Sequence, residues 1–488
     1  MPFGTVGYFF IRFEFSLFVI KGGIFVSLKN KNRDLLQGSL VKNMLLFTIP
    51  VILSGILQLV FNTADLIVVG KFDTVNGSLA QAAIGSTTAM INLIIGIFLG
   101  ISIGVNVVIA QIIGSKNFDH LRTAVQTAML LGFIAGAFIA VLGFIFTKPL
   151  LQLIGTEENV LPFAEDYLRI YFIGAPFNMI YNFGAAIMRA YGDTKRPMIF
   201  LAIGGVANVI LNLITVVGFN MSVRGVAIAT ASSHFIAAAL TVGVLIKTSQ
   251  PIKLHLNGIK LNSTWVKQII ALGVPAGIQS SLFSLSNVVI QSAINSFNDS
   301  SIIAGNGNAA NVEGFLYLAT HAFYQTIITF MGQCCGARRF EMLKKIYYTG
   351  IVLVSLAGLV TGFVAWGFDR QLMTLYSSNK ADIVAGMMRM SIICPTYFIC
   401  GLMDYTAGAI RGMGKSIVPM IISLIGACGL RVVWVFTVFK FWNTTTSLYL
   451  SYPISWALTF AALFIYSVIV RKQLTSADSL RSTAQQNS

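Results

Sequence analysis

Long apolar stretches follow one another along almost the whole chain. A membrane-spanning helix needs about 20 mostly apolar residues, and twelve such stretches, separated by short polar breaks, occupy most of the 488 residues. Only 10% of the residues are charged, which is too few for a soluble surface. The sequence therefore predicts an all-α integral membrane protein with no room for a soluble catalytic domain. The predicted spans are 44–70, 84–113, 122–146, 163–190, 197–219, 224–248, 267–296, 304–334, 344–368, 385–411, 418–440 and 447–470.

The basic residues are concentrated in alternate loops. With the N-terminus inside, the tails and every second loop hold most of the 33 lysines and arginines. This is the positive-inside pattern, so cytoplasmic loops beside lipid headgroups account for the net charge of +16. We therefore expect a multi-pass protein of the plasma (inner) membrane with both termini in the cytoplasm. The lipid bilayer is its expected surrounding partner, and a nucleic-acid partner is not needed.

The two halves of the chain repeat each other at an offset of 222 residues. Six spans per repeat is an even number, so both halves run in the same sense and are related by an axis along the membrane normal. This arrangement favours a transporter that rocks one six-helix bundle against the other. The matching positions are Gln111 and Gln333, Gly114 and Gly336, Arg189 and Arg411, Gly192 and Gly414, and Pro197 and Pro419.

The repeat sets the predicted domain boundaries. The N-terminal six-helix bundle covers 38–248 and the C-terminal bundle covers 264–471, with a cytoplasmic linker at 249–263. An N-terminal extension, 1–37, contains no stretch long enough to span and is expected to be poorly ordered. The tail, 472–488, is rich in Ser, Thr and Gln and is expected to be disordered.

As a set, the short motifs resemble the multidrug and toxic compound extrusion (MATE) family. The resemblance covers roughly residues 40–470 and implies twelve spans in two repeats. It also implies cation-coupled export of amphipathic, often cationic organic compounds from the cytoplasm. The motifs are Asn62-Thr-Ala-Asp65, Gln111-x-x-Gly114, Arg189-Ala-Tyr-Gly192-Asp193-Thr194-Lys195-Arg196-Pro197 and Arg411-Gly412-Met413-Gly414-Lys415.

Asp65 is the strongest candidate for a coupling residue, because an acid within a span is costly and is a functional candidate by default. It follows Pro50 by the fifteen residues that also separate Asn212 from Pro197, so Asp65 and Asn212 are predicted at one depth. Asn208 lies one turn from Asn212 on the same helical face. These oxygens suit Na⁺, and the carboxylate equally suits a proton.

The resemblance gives the same three residues a role. In that family the aspartate matching Asp65 and polar residues matching Asn208 and Asn212 form the cation site. Some branches of the family carry an aspartate where Asn212 stands here. No metal site is expected beyond Na⁺ at Asp65.

A weaker set of polar and aromatic residues is predicted to line the substrate cavity. Glu313 is predicted in the outer half of the second bundle, where it suits a counter-charge for a cationic substrate. Asp404 is predicted to contact Arg411 or Lys415 structurally. Gly96, Gly100 and Gly104 recur every fourth residue, which indicates close helix packing. The predicted cavity residues are Asn62, Tyr181, Asn287 and Glu313.

We therefore predict a secondary transporter, an antiporter driven by H⁺ or Na⁺ that exports organic cations or drugs by alternating access. It is expected to be no enzyme, to use no cofactor or ATP, and to be monomeric. A lipid-linked oligosaccharide flippase is the alternative, but it needs a cationic cleft, and the arginines predicted within spans are few (Arg169, Arg389 and Arg431). A membrane-embedded transferase is less favoured, since no cluster of carboxylates or histidines is apparent at one membrane face.

Overall fold

The computed structural model describes residues 35–73 and 77–486, and these form helices joined by short turns. In lipid every main-chain polar group must be satisfied internally, which helices do within one segment. The helices are α1 (Leu40–Phe72), α2 (Gly77–Gly114), α3 (Phe118–Leu153), α4 (Leu161–Ile173), α5 (Ala175–Ala190), α6 (Lys195–Asn212), α7 (Ser222–Lys247), α8 (Ser263–Asn295), α9 (Ser300–Gly336), α10 (Glu341–Gly367), α11 (Asp369–Thr374), α12 (Lys380–Gly412), α13 (Ile417–Ser423), α14 (Leu430–Phe436), α15 (Val438–Phe441) and α16 (Thr445–Gln486).

These helices make up the predicted twelve segments. Ten stretches of the described chain are long and apolar enough to cross a membrane, and the pair α4 and α5 is an eleventh. The remaining long helix, α9, has 37 residues and a polar first half that contains Asn306, Asn308 and Asn311. Two stretches contain π-helical segments, Leu213–Gly218 after α6 and Leu424–Gly429 after α13. An all-helical membrane protein, as predicted, is what the described residues form.

The fourth predicted span, 163–190, is not one straight helix. It is divided at Gly174 into α4 and α5, which are bent by 48°. Pro176 follows within α5, and proline disfavours a helical conformation in the residue before it and lacks an N–H donor. A Cβ on Gly174 would lie 2.9 Å from the Ala231 side chain of α7. The bend therefore coincides with a close contact between helices.

Five helices begin at a side chain that caps their first turn. The capping side chains accept a hydrogen bond from the main-chain N–H of the second or third helical residue, and they belong to Ser39, Asn117, Asn262, Asp299 and Asn379. The first N–H groups of a helix have no partner within it, so a Ser, Asn or Asp at this position stabilises the end. These residues fix where α1, α3, α8, α9 and α12 start.

The repeated Arg-x-x-Gly motifs end α5 and α12 in the same way. Gly192 has a φ of +98° and Gly414 a φ of +85°. Their N–H groups donate to the carbonyls of Arg189 and Arg411, at 2.8 Å in both cases. Because an L side chain is disfavoured at these angles, glycine is required for the turn. Asp193 follows Gly192 in the turn after α5, and burial raises the pKa of its carboxyl group.

The buried apolar residues form two main clusters. One is built from residues between Val68 and Ile269, and the other mostly from residues between Ile290 and Val470. The start of α1 belongs to the second cluster, where the rings of Phe47 and Phe330 pack edge to face at 5.9 Å. Thus α1 contributes to both clusters. The boundaries of the two bundles stay a prediction.

Helices α2 and α8 pack backbone to backbone through glycines. A Cβ on Gly100 would lie 2.2 Å from the main-chain nitrogen of Gly277, and one on Gly104 would lie 2.2 Å from the carbonyl oxygen of Ile269. No side chain fits at these distances. Close helix packing is therefore confirmed for Gly100 and Gly104, whereas Gly96 has only ordinary contacts.

The two halves also meet where α2, α5, α9 and α12 end. The Gln111 side-chain amide donates to the carbonyl of Gly412 at 3.1 Å. The Gln333 amide donates to the carbonyl of Ala190 at 2.8 Å. Both pairs join one half of the chain to the other, and the partners are related by the offset of 222. We call this contact the closed end.

The predicted extension and tail are partly covered by the described residues. Leu35 and Leu36 are buried, and the Asn43 side chain donates to the carbonyl of Leu35 at 3.0 Å; residues 1–34 lie outside the described part. At the other terminus, where the sequence predicts disorder from 472, α16 continues to Gln486. No glycine or proline follows Pro453, so nothing in the tail stops the helix from propagating.

The segment 249–263 between the halves lies against α3. Ile252 and Leu254 are buried. The Gln126 side chain of α3 donates to the carbonyl of His255 at 2.7 Å. The linker is therefore held to the first half by both apolar and polar contacts.

Candidate functional site

Helices α1, α6 and α7 bring the predicted ion-coupling residues together. Asp65 lies on α1, Asn208 and Asn212 lie on α6, and Asn212 is the last residue before the π-helical segment. The equal spacing of Asp65 from Pro50 and of Asn212 from Pro197 does place the two side chains at one level. π-Helical segments interrupt the regular ladder and are frequent at functional sites.

Four polar side chains form a connected cluster. Asn212 Nδ2 donates to Asp65 Oδ1 at 2.5 Å and is 3.3 Å from Asn208 Oδ1. Thr230 Oγ1, from α7, donates to Asp65 Oδ2 at 3.3 Å and accepts from Asn208 Nδ2 at 3.3 Å. We call Asp65, Asn208, Asn212 and Thr230 the Asp65 cluster. Asp65 Oδ1 thus has its own donor, whereas Oδ2 shares the single hydroxyl hydrogen of Thr230 with the Val226 carbonyl, which lies 2.9 Å from Thr230 Oγ1.

No cationic side chain neutralises Asp65. It is 6% exposed, and within the described ranges no Lys, Arg or His lies within ion-pair distance of it. Its hydrogen-bond partners are all neutral. An ionised carboxylate buried this way costs free energy unless a proton or a metal cation compensates it. The cluster is therefore able to hold one positive charge.

An unused oxygen lies beside the carboxylate. Asn212 Oδ1 is buried and has no donor in the described residues. A buried carbonyl without a partner is costly, and a bound cation would satisfy it. The oxygens of Asp65, Asn212 and Thr230 are hard donors of the kind that alkali and alkaline-earth cations take. The residues therefore fit Na⁺, and Asp65 alone fits a proton.

Glu313 has a partner that the sequence analysis did not foresee. Its two carboxylate oxygens accept from Nε and Nη2 of Arg389 at 2.7 and 2.8 Å. Arg389 Nη1 donates to Asn306 Oδ1 at 2.6 Å, and Asn306 donates in turn to Gln291. The charge of Glu313 is neutralised within the protein. A role for Glu313 in substrate binding stays a prediction, and a cation would have to compete with Arg389.

Asp404 and Arg411 do not form the predicted contact. Arg411 directs Nη1 to the Tyr324 hydroxyl and Nη2 to Gln279 Oε1, both at 2.6 Å. No hydrogen bond or ion pair joins Asp404 to Arg411 or Lys415 in the described residues. Asp404 precedes Arg411 by seven residues, or about 10.5 Å of helix, and neutral groups occupy the terminal nitrogens. The predicted contact is therefore not a hydrogen bond or an ion pair, although Asp404 and Arg411 remain within electrostatic reach of each other.

The other three predicted cavity residues form no hydrogen bond with the Asp65 cluster in the described part of the chain, although Asn62 lies one turn from Asp65 on α1. Asn62 and Asn287, which follow Pro50 and Pro275 by twelve residues, have exposed side chains. Tyr181 is buried, and its hydroxyl donates to the carbonyl of Pro197 at 3.0 Å. Tyr181 thus ties the end of α5 to the start of α6. Their roles in substrate binding stay predictions.

Neither the place of Thr230 in the site nor the burial of Arg411 was predicted from the sequence. Thr230 lies in a helix whose sequence has no proline to set a depth, so no spacing pointed to it. Arg411 was predicted at the inner end of a span, but it is only 3% exposed. The available signal for Arg411 was its repeat partner Arg189, since a charge at the same place in both repeats suggests a shared role.

Comparison with known proteins identifies the family. The MatE family model matches residues 50–214 and 275–437. A probable multidrug resistance protein, YoeA, of Bacillus subtilis (strain 168) is 27% identical over 447 residues, which is 90% of this chain and 96% of that protein. A protein named FAD transporter, of Shewanella oneidensis, is 24% identical over 80% of this chain and 86% of its own length.

A solved structure has the same fold. A multidrug resistance MATE family transporter of the MOP superfamily, in an outward-facing conformation, superposes with a TM-score of 0.84 at 19% identity. The match covers 91% of this chain and 99% of that one. The two family-model matches begin at Pro50 and Pro275, one in each half of the chain. This protein is therefore a membrane transporter, and not an enzyme, that belongs to the MatE (multidrug and toxic compound extrusion) family.

Proposed function

We propose that this protein is an antiporter that exports amphipathic organic compounds, drugs among them, across the plasma membrane in exchange for H⁺ or Na⁺. The observation that carries the proposal is the Asp65 cluster, in which a buried carboxylate has neutral partners only and lies beside the unpartnered Oδ1 of Asn212. Such a group holds a cation when one is supplied and is costly without it.

The coupling follows from this cost. A cation or proton that reaches Asp65 from outside changes the charge of the first half, and so changes the relative stability of the two access states. One elementary charge that moves across 100 mV supplies about 2.3 kcal/mol. That free energy supports a gradient of a cationic substrate of roughly fiftyfold, since 1.4 kcal/mol corresponds to a factor of 10. ATP is not required.

The closed end supports alternating access. The bonds from Gln111 to Gly412 and from Gln333 to Ala190 join the halves where four helices end. Breaking them would let one half rock away from the other around the repeat axis. We place the closed end on the cytoplasmic side, because the positive-inside pattern places the adjacent loops there. Both termini are then cytoplasmic, and we expect a monomer to suffice.

The coupling ion is tested in inverted membrane vesicles. Ethidium movement is recorded under an imposed proton gradient and, separately, under an imposed sodium gradient. We expect one of them to drive transport in vesicles that contain the protein and not in vesicles that lack it. Transport that responds to neither gradient, with the protein shown in the membrane, would remove antiport from this account.

The orientation is tested by cysteine labelling. Single cysteines beside Lys116, Lys260 and Arg338 are expected to be shielded from an impermeant thiol reagent in intact cells. A cysteine beside Asp299 is expected to be labelled. The reverse pattern would invert the topology, and with it the direction of transport.

A second substrate class has support of its own. One relative is named FAD transporter, and FAD carries two phosphates. In this chain Arg411 is buried, its terminal nitrogens bond neutral groups, and it forms no ion pair among the described residues. Organic anions are therefore candidate substrates beside organic cations.

A further inference from the structure

Arg189 and Arg411 occupy equivalent places in the two repeats, in the last turn of α5 and of α12. Arg411 is 3% exposed and Arg189 is half-buried. Among the described residues no carboxylate lies within 4.0 Å of either guanidinium group. Two positive charges thus lie next to the closed end without an ion pair, although the buried Asp404 is within electrostatic reach of Arg411.

Many of their donors are unused. Arg411 Nε is buried and has no acceptor, although its terminal nitrogens bond Gln279 and Tyr324. Arg189 Nε is likewise buried without an acceptor, and no hydrogen bond of the Arg189 side chain to the described chain is present. Unsatisfied donors on a buried cation are costly. An acceptor from outside the chain would compensate them.

The paired arginine Arg389 shows the contrast. It lies on the same helix as Arg411 and is also buried, but its three nitrogens donate to Glu313 and Asn306. The protein therefore pairs Arg389 directly with a carboxylate, whereas neither Arg189 nor Arg411 has a carboxylate in contact with it among the described residues.

The two charges converge on one aromatic surface. Both guanidinium groups are within electrostatic reach of the His321 imidazole on α9. His321 stacks on Tyr317 and on Tyr324, with ring centroids 5.0 Å apart in each pair. Tyr324 also accepts from Arg411. A column of three stacked rings, exposed at Tyr317 and buried at Tyr324, thus adjoins the two arginines and the buried Asp404.

We propose that Arg189, with Arg411 adding positive potential from the other half, binds the phosphate or carboxylate of an amphipathic organic anion. A guanidinium group matches both anions with paired N–H donors. The ring system of the ligand packs against Tyr317, the exposed ring of the stack. The inference rests on the proposed transport function, because it names a substrate class for it.

The test measures binding to the purified full-length protein in lipid nanodiscs, without any ion gradient. Flavin mononucleotide and riboflavin are the main probes, because they differ only in one phosphate. Carboxyfluorescein tests the carboxylate. We expect the wild type to bind flavin mononucleotide more tightly than riboflavin. Arg189→Gln should weaken flavin mononucleotide binding roughly tenfold or more, since bonds to charged groups are the strong ones, and leave riboflavin binding unchanged.

Two further variants separate charge from structure. Arg189→Lys keeps the charge and should retain part of the preference for the anion. Arg169→Gln removes the same charge from an ion pair with Glu165, and it should leave the affinity for flavin mononucleotide and for riboflavin unchanged. Arg189 makes no side-chain hydrogen bond in the described residues, so its loss does not break the fold.

The outcomes are distinguishable. Equal affinity of wild type and Arg189→Gln for both flavin mononucleotide and carboxyfluorescein would overturn the inference, and so would a wild type that binds neither. If only one of the two anions depends on Arg189, that result names the ligand group. Ethidium transport by wild-type vesicles reports the proposed function separately, because the binding assay contains no gradient.

Discussion

Gln111 and Gln333, 222 residues apart, make the same bond in opposite directions: each donates its side-chain amide to a main-chain carbonyl of the other half. The accepting residues, Gly412 and Ala190, are also 222 residues apart. Helices α2 and α9 approach so closely here that a Cβ on Gly114 would lie 2.1 Å from the Gln333 carbonyl oxygen. The closed end is therefore built twice from one motif, once from each half of the chain.

Removing both glutamine amides should open the closed end. Each bond contributes about 1 kcal/mol, so Gln111→Ala with Gln333→Ala should shift the ratio of closed to open molecules by roughly tenfold or more. Spin labels at Arg122 and Lys344, both exposed, report the separation by double electron–electron resonance in a cysteine-free background. We expect a longer and broader distance distribution.

The control for this experiment is Gln152→Ala. Gln152 is exposed at the end of α3 and makes no bond across the halves in the described part of the chain. An unchanged distribution in the double variant, or an equal change in the control, would show that the two bonds do not hold the closed end.

Gly277→Ala should destabilise the packing of α2 against α8. A Cβ there would lie 2.2 Å from the Ile97 carbonyl oxygen, so the helices must separate, at a cost of about 1–3 kcal/mol. We expect a lower Tm in detergent. Gly243→Ala is the matched control, because nothing lies within 4 Å of its Cβ, and alanine favours the helix. A Tm for Gly277→Ala at or above that of the control would contradict this packing.

Asp65→Asn should abolish gradient-driven efflux and leave the protein folded. Asn keeps the shape and still accepts from Asn212, but it carries no titratable charge, so neither coupling ion is held as before. The Tm should rise slightly, because an uncompensated buried charge is removed. Ethidium efflux at equal membrane abundance is the measurement.

Asp166→Asn is the control for Asp65→Asn. It makes the same substitution at Asp166, which lies in a partly exposed ion pair with Arg224. Thr230→Val tests the cluster more gently. It removes one donor to Asp65 and keeps the side-chain volume, so we expect a severalfold change in the ion concentration that drives efflux. Full efflux in Asp65→Asn would take Asp65 out of the mechanism.

Glu313→Gln should be markedly destabilising. It leaves Arg389 as an unpaired buried cation, and breaking such a pair costs about 3–5 kcal/mol. Arg389→Met alone leaves the acid unpaired and should cost a similar amount. The double variant should recover most of the loss, because no isolated charge then remains. Additive losses of Tm in the double variant would argue against a mutually compensating pair.

The fold followed largely from the sequence, because hydropathy acts locally. Twenty apolar residues must become a helix in lipid whatever their neighbours are, so the twelve segments were predictable. The repeat was also detectable in the sequence. Glycines at positive φ, such as Gly192 and Gly414, tolerate few replacements, so they stay at matching positions in both halves. The bend at Gly174 was not predicted, because it depends on contact with another helix. The helical tail was not predicted either, because its polar composition indicated disorder although it contains no glycine or proline to end the helix.

The site was predictable only where spacing along one helix sets depth. Equal distances from Pro50 and Pro197 placed Asp65 and Asn212 at one level, and periodicity placed Asn208 beside Asn212. Rotation of helices about their axes decided the rest. It brings Thr230 to Asp65 and gives Glu313 to Arg389, 76 residues away. The sequence thus determined which groups lie in the membrane and how deep, while the packing of whole helices decided which charges are paired and which are left for ligands.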